Sequence, residues 1–311
     1  MPECTLATTW SQEGKTVAGG KGEGNALDQL YCPTGLFIDS NNVLFVSDAG
    51  NGRIIKWEQG ASDGTIVAGF QPEQLKLSTS VIVDREGTLF ITDGSSGEDC
   101  RVIRWRREAT SGETLFSSNS YLTGIAFDVS QEHFYVSHCD QQCVIKYAKD
   151  GSSKEVIVAD GNGQGSALNQ LDAPIDEIGT VYVSDLQNRR LVKWFINSKE
   201  AIIVAGGNGE GSQLDQLSCP MGILIDHFGA VYTVDAENHR VMRFLTDGNE
   251  KASVMADGNG ESNGANQFLH PTDLAFDSTG NLYVSDCTNN RVQMFTIGQR
   301  SGELVFYVYI F

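Results

Sequence analysis

The chain has 311 residues, 40% hydrophobic and 20% charged, with 34 Gly and a net charge of −18. Such a composition is globular and turn-rich, and excludes extended disorder. So acidic a chain repels phosphate backbones and anionic membrane surfaces, which sets nucleic acid aside as a partner.

Residues 1–10, MPECTLATTW, have neither the basic start nor the apolar run of a secretory signal. No leader is expected, and a soluble chain follows, its compartment open. From residue 15 the sequence reads KTVAGG, a short strand that matches the fourth strand of units further on. The first full unit begins with GLFID at residues 35–39 and continues through VLFVSD to Asp48, a polar hairpin, a strand from Arg53 to Trp57, and TIVAG. The same order returns with SVIVD, TLFITD to Asp93 and Arg101 to Trp105, then with GIAFD, HFYVSH to His138 and Cys143 to Tyr147. It returns again with TVYVSD to Asp185 and Arg190 to Trp194, with GILID, AVYTVD to Asp235 and Arg240 to Phe244, and with DLAFD, NLYVSD to Asp286 and Arg291 to Phe295. The ends of these second strands lie 45, 45, 47, 50 and 51 residues apart. Residues 304–311, LVFYVYIF, are far short of the ~20 apolar residues a membrane-spanning helix requires; they read as a strand or a sticky tail.

Each unit supplies four strands bounded by Gly, Asn and Asp, which is one antiparallel sheet. A sheet of this size cannot cover both its faces, so the units must pack on one another, and closing them into a ring removes their edges. The expected fold is therefore all-β: a six-bladed β-propeller of four-stranded antiparallel blades, a single domain over residues 1–311. The last unit stops after its third strand, so the N-terminal strand should complete the last blade, with the apolar tail as its rival. Pro33 to Asp48, Pro220 to Asp235 and Pro271 to Asp286 each span 15 residues, whereas Pro174 to Asp185 spans 11. Repeat four is thus truncated near residues 174–185, predicting a gap or a distorted innermost strand there and the least stable blade.

Residues 206–244, GGNGEGSQLDQLSCPMGILIDHFGAVYTVDAENHRVMRF, and 257–295, DGNGESNGANQFLHPTDLAFDSTGNLYVSDCTNNRVQMF, carry a Gly-rich linker, Pro-x-Gly or a variant, a strand ending in Asp, an Asn-x-Arg hairpin and an aromatic. In this the chain resembles NHL-repeat proteins over nearly its whole length, with repeats two and three degenerate. The resemblance implies a ring that often ends tripartite-motif ubiquitin ligases, and a fold shared with a peptide-amidating lyase whose metal is held by channel histidines.

In five repeats the Asp ending the second strand should face the Arg opening the third: Asp48 and Arg53, Asp93 and Arg101, Asp185 and Arg190, Asp235 and Arg240, Asp286 and Arg291. A carboxylate there can accept from hairpin amides and from the guanidinium. Repeat three replaces both partners, with His138 and Cys143. Its VSHCDQQCVIKY reads first as a degenerate hairpin and second as a hairpin bridged by a Cys139–Cys143 disulfide. A zinc or redox site comes last, since no second cysteine pair at finger spacing exists. The Gly-rich runs recur and lack the Gly-Lys-Ser/Thr ending, so they are linkers and not phosphate loops.

One repeat position, just before the innermost strand, holds Cys32, Tyr121, Cys219 and His270, candidates for a ligand site at the channel mouth. Cys32, Cys219 and His270 lie in adjacent blades once the ring closes, but neighbouring blades stand ~10 Å apart, too far for easy zinc ligation. Packing beneath the linkers is the favoured role, and no metal or cofactor is expected. His133, His138, His227 and His239 are scattered, and no catalytic motif is present. The expected function is a non-enzymatic binding scaffold, a monomer whose propeller face docks a protein, peptide or other extended ligand. A propeller lyase or hydrolase, and the substrate-recognition part of a tripartite-motif ligase, are the alternatives.

Overall fold

The computed structural model describes residues 9–71, 73–95, 98–152, 155–160, 162–171, 174–177, 181–195, 198–226, 228–245, 252–257 and 262–298. The first strand is β1 (Lys15–Gly19). Blade one then runs β2 (Pro33–Ile38), β3 (Leu44–Asp48), β4 (Arg53–Trp57) and β5 (Thr65–Ala68). Blade two is β6 (Ser78–Val83), β7 (Leu89–Ser95), β8 (Glu98–Trp105) and β9 (Glu113–Ser118). Blade three is β10 (Leu122–Phe127), β11 (His133–His138), β12 (Cys143–Ala148) and β13 (Val156–Asp160). Blade four comprises β14 (Pro174–Glu177), β15 (Val181–Asp185), β16 (Arg190–Trp194) and β17 (Ile202–Gly206). Blade five comprises β18 (Pro220–Ile225), β19 (Val231–Asp235), β20 (Arg240–Phe244) and β21 (Ala252–Asp257), and blade six supplies β22 (Pro271–Phe276), β23 (Leu282–Asp286) and β24 (Arg291–Phe295).

These form six four-stranded sheets, each paired in chain order except the last, which runs β1-β24-β23-β22. The first strand of each blade packs on the first strand of the next, β2 on β6 and so on round to β22 on β2. The result is a six-bladed β-propeller. Second strands such as β3 and β19 are buried at every residue, because both of their faces meet neighbouring blades. Outer strands are more exposed: β17 leaves Ile202 and Ile203 in solvent.

The N-terminal strand closes the last blade, with Lys15 opposite Met294 and Gly19 opposite Arg291. Trp10 locks the same joint. Its indole N–H donates to the Gly280 carbonyl at 2.9 Å, and its ring lies 5.8 Å from that of Phe276 in blade six and 6.1 Å from that of Tyr232 in blade five. Residues 304–311, the expected rival, lie outside the described residues.

Repeat four meets its truncation with a short, regular strand. No gap opens along β14: it pairs with β15 in unbroken register from Pro174 opposite Asp185 to Glu177 opposite Tyr182. The deletion instead shortens the strand to four residues, against six in the other innermost strands, and removes the bulge they carry after their first residues.

The cysteines depart from expectation at one place, Cys32. Cys139 and Cys143 are thiols and do not bridge. Cys143 is buried in the core of blades two and three, whereas Cys139 opens the turn that ends with the Gln142 N–H donating to its carbonyl, at the channel lining. The two side chains leave the hairpin in different directions. The disulfide joins Cys32 to Cys287 across the seam between blades one and six, 255 residues apart. Cys32 therefore does not pack as a lone thiol beneath a linker.

Candidate functional site

The hairpin Asp and Arg residues fasten linkers rather than a ligand. Arg53, Arg190, Arg240 and Arg291 approach Asp48, Asp185, Asp235 and Asp286 at 2.7, 2.6, 2.8 and 2.7 Å, with the carboxylates fully buried. The remaining guanidinium N–H groups cap linker carbonyls: those of Arg240 donate to Ser212 at 2.7 Å and to Gln213 and Gln216 at 3.1 Å. Asn51, Asn188, Asn238 and Asn289 each bond both the Asp and a linker carbonyl. The Asn-x-Arg signature thus supplies donors that a Gly-rich linker cannot find within itself. Arg101 reaches Asp93 at 2.9 Å with a quarter of its side chain exposed, consistent with the shorter linker of repeat two. Burial raises the pKa of Asp48 and Asp286 despite hydrogen bonds and guanidinium that pull the other way.

Blade three replaces this ion pair with a neutral cluster. His138 Nε2 lies 2.9 Å from the Tyr147 hydroxyl and Nδ1 lies 3.3 Å from Ser118 Oγ, with the Phe116 ring stacked on Tyr147 at 4.0 Å. Burial pushes the pKa of His138 down to about 4. This is packing, closed to substrate.

The central channel is open. It is a cavity of about 390 Å³ lined by the innermost strands, with Tyr121, Cys139, Leu186 and Gln187 at one end. Near that end the second residue of several innermost strands is a threonine whose hydroxyl donates to the next blade: Thr34 to Ser78 at 3.0 Å, Thr79 to Leu122 at 2.7 Å and Thr272 to Pro33 at 3.1 Å. These hydroxyls stitch blade to blade, and beyond them the lining turns apolar, with Leu36, Ile82, Ile125 and Leu274.

One described carboxylate stands in this lining, that of Asp273. Its Oδ2 accepts the Leu36 N–H at 2.7 Å and its Oδ1 accepts the Leu274 N–H at 2.8 Å. Burial raises its pKa to about 7, against the pull of those two amides. Gly222 makes room for it, since a Cβ there would crowd the carboxylate. Sequence reasoning missed Asp273, although the signal was legible: repeat six reads Pro-Thr-Asp where repeats one and five read Pro-Thr-Gly and Pro-Met-Gly.

Of the four candidates at the channel mouth, Tyr121 lines the cavity; Cys32, Cys219 and His270 are not in the described lining. Burial raises the pKa of the Tyr121 hydroxyl and pushes the Cys219 thiol up to about 11. His270 packs against His239, with ring centroids 5.2 Å apart, and its backbone N–H donates to His239 Nδ1 at 3.3 Å. No group of three metal-ligating side chains occurs among the described residues. His133, the first residue of β11, sits 3.0 Å from Asp128, and His227 lies outside the described residues.

Residues 268–295, from the end of the sixth linker through β24, match the family model for the NHL repeat. The chain is a six-bladed β-propeller with an NHL repeat in its last blade. No curated protein matches it. Among solved structures, this propeller is similar to a protein of unknown function from Bacteroides thetaiotaomicron, at TM-score 0.75 and 15% identity over 93% of this chain and 76% of that one. It is also similar to an auxiliary nutrient binding protein from the same organism, at TM-score 0.72 and 14% identity over 94% of this chain and 77% of that one. Virginiamycin B lyase from Staphylococcus aureus aligns at TM-score 0.59 and 13% identity, over 88% of this chain and 98% of that one. At such identities the likeness is one of fold. No helix among the described residues is long and apolar enough to cross a membrane.

Proposed function

We propose that this propeller is a non-catalytic binding module that docks a peptide, protein segment or other extended ligand on the face holding Tyr121, Cys139 and Gln187, with one side group entering the channel. The observation that carries this reading is the channel itself. Its volume of about 390 Å³ falls among small-ligand sites, and it combines an apolar wall with one convergent acid. The net charge of −18 adds a long-range preference for cationic ligands. The ring closes on its own β1, so one copy suffices to build the site.

Gln187 is exposed at the mouth, where a larger side chain can be added without disturbing the core. A partner recovered from the source extract by the immobilised chain, then identified by mass spectrometry, should bind Gln187→Trp at least tenfold more weakly in a direct titration. Equal affinity for both chains would remove the channel mouth as the docking site. Turnover of an ester, lactone or peptide substrate at this channel would replace the binding reading with the lyase or hydrolase alternative.

A further inference from the structure

Asp273 is an acid in an apolar channel without an opposite charge. Its two donors are neutral amides, one from its own strand β22 and one from β2, and no Lys, Arg or His among the described residues pairs with it. The titratable groups on the strands packed against it are engaged elsewhere. On β23, Tyr283 donates to Asp277 and Asp286 is tied to Arg291; on β19, Tyr232 donates to Asp226 and Asp235 is tied to Arg240. Strands β2 and β18 carry no titratable residue. Tyr121 and Cys139 lie at the mouth, and Asp176 and Glu177 belong to β14.

A carboxylate can accept about four hydrogen bonds, and the two amides leave each oxygen with a further lone pair. Buried negative charge is costly unless it is paired. The missing partner is therefore a cation that can enter the channel. A guanidinium seeks both carboxylate oxygens through its rigid fork, yet both already hold an amide, so a compact ammonium suits the site better. A divalent cation would seek more oxygen ligands than one carboxylate brings. Leu36 and Leu274 flank the acid and suit the hydrocarbon stem of an alkylammonium group.

We propose that the channel binds an alkylammonium group, from a lysine side chain, a peptide amino terminus or a free amine, with its charge on Asp273 and its stem along the apolar inner strands. This rests on the channel being the binding site and adds the chemistry it recognises.

The probe is n-pentylammonium chloride, titrated calorimetrically into the full chain beside 1-pentanol, a neutral molecule of similar length. The ammonium should bind at least tenfold more tightly than the alcohol at pH 8. Because Asp273 takes up a proton near pH 7, its affinity should fall about tenfold at pH 6. Asp273→Asn should abolish both the preference and the pH dependence. Equal binding of ammonium and alcohol, or an unchanged preference in a folded Asp273→Asn chain, would overturn the proposal. If that variant does not fold, the wild-type pH series decides alone, a flat profile being fatal. Lysine-containing peptides with free or acetylated amino termini separate the sources. Should pentylammonium fail to bind while Gln187→Trp still loses the captured partner, the ammonium chemistry falls and the docking site stands. Should pentylammonium bind as expected while Gln187→Trp keeps the partner, the ammonium chemistry stands and the mouth falls as the docking site.

Discussion

His138 shows how one residue can change the acid sensitivity of a blade. It occupies the strand end where five other blades keep an aspartate, and it is 2% exposed. An unfolded histidine takes up its proton near pH 6.5, whereas buried His138 does so at about 4. Between those values the unfolded chain binds more protons than the folded one, so stability is complete above about pH 6.5 and is lost as the pH falls toward 4. The loss attributable to this residue is on the order of 3 kcal/mol. His138→Gln should cost stability at pH 7 but should flatten that part of the acid profile. Urea titrations of both chains between pH 7 and 4.5 check this, and an unchanged slope in the variant would show that the acid sensitivity arises elsewhere.

Strand β14 is the weak element. It is two residues shorter than the other innermost strands and therefore makes fewer ladder hydrogen bonds, while the linker that enters it is still held by Arg190. Local opening should start there, at a free energy below that of global unfolding. Hydrogen exchange followed by mass spectrometry should show amides of residues 175–177 exchanging at least tenfold faster than those of β18. Equal protection would mean that the shortened strand borrows its stability from blades three and five. The sequence showed the missing residues but not their consequence. Spacing alone allowed a gap, whereas the strand kept its pairing by giving up the bulge.

Over the whole molecule, blade six and its two neighbours bear the burden of closure. Strand β1 completes blade six, Trp10 packs across blades five and six, and Cys32–Cys287 bridges blade six to blade one. Deleting residues 1–19 would leave β24 as an open edge, and aggregation or a large drop in Tm is expected. Trp10→Ala keeps the strand and should cost about 3–5 kcal/mol in guanidinium unfolding. A truncated chain that stays monodisperse and melts with the intact one would show that β1 is dispensable to the ring.

The sequence by itself determined the number of blades, the order of strands within each and the pairing of Asp with Arg across five of the six hairpins. All of these are set within one repeat or by counting repeats, where the alternation of apolar residues and the position of turn residues act locally. The tertiary structure decided what depends on several blades meeting. Cys32 and Cys287 become neighbours through ring closure, so no spacing within a repeat could pair them, and the visible Cys139 and Cys143 were separated by one side chain turning into the core. Asp273 is an ordinary acid in its own repeat. It becomes the one described carboxylate of the channel lining because Leu36, Gly222 and the walls around it come from other blades, and only the closed ring half-buries it there.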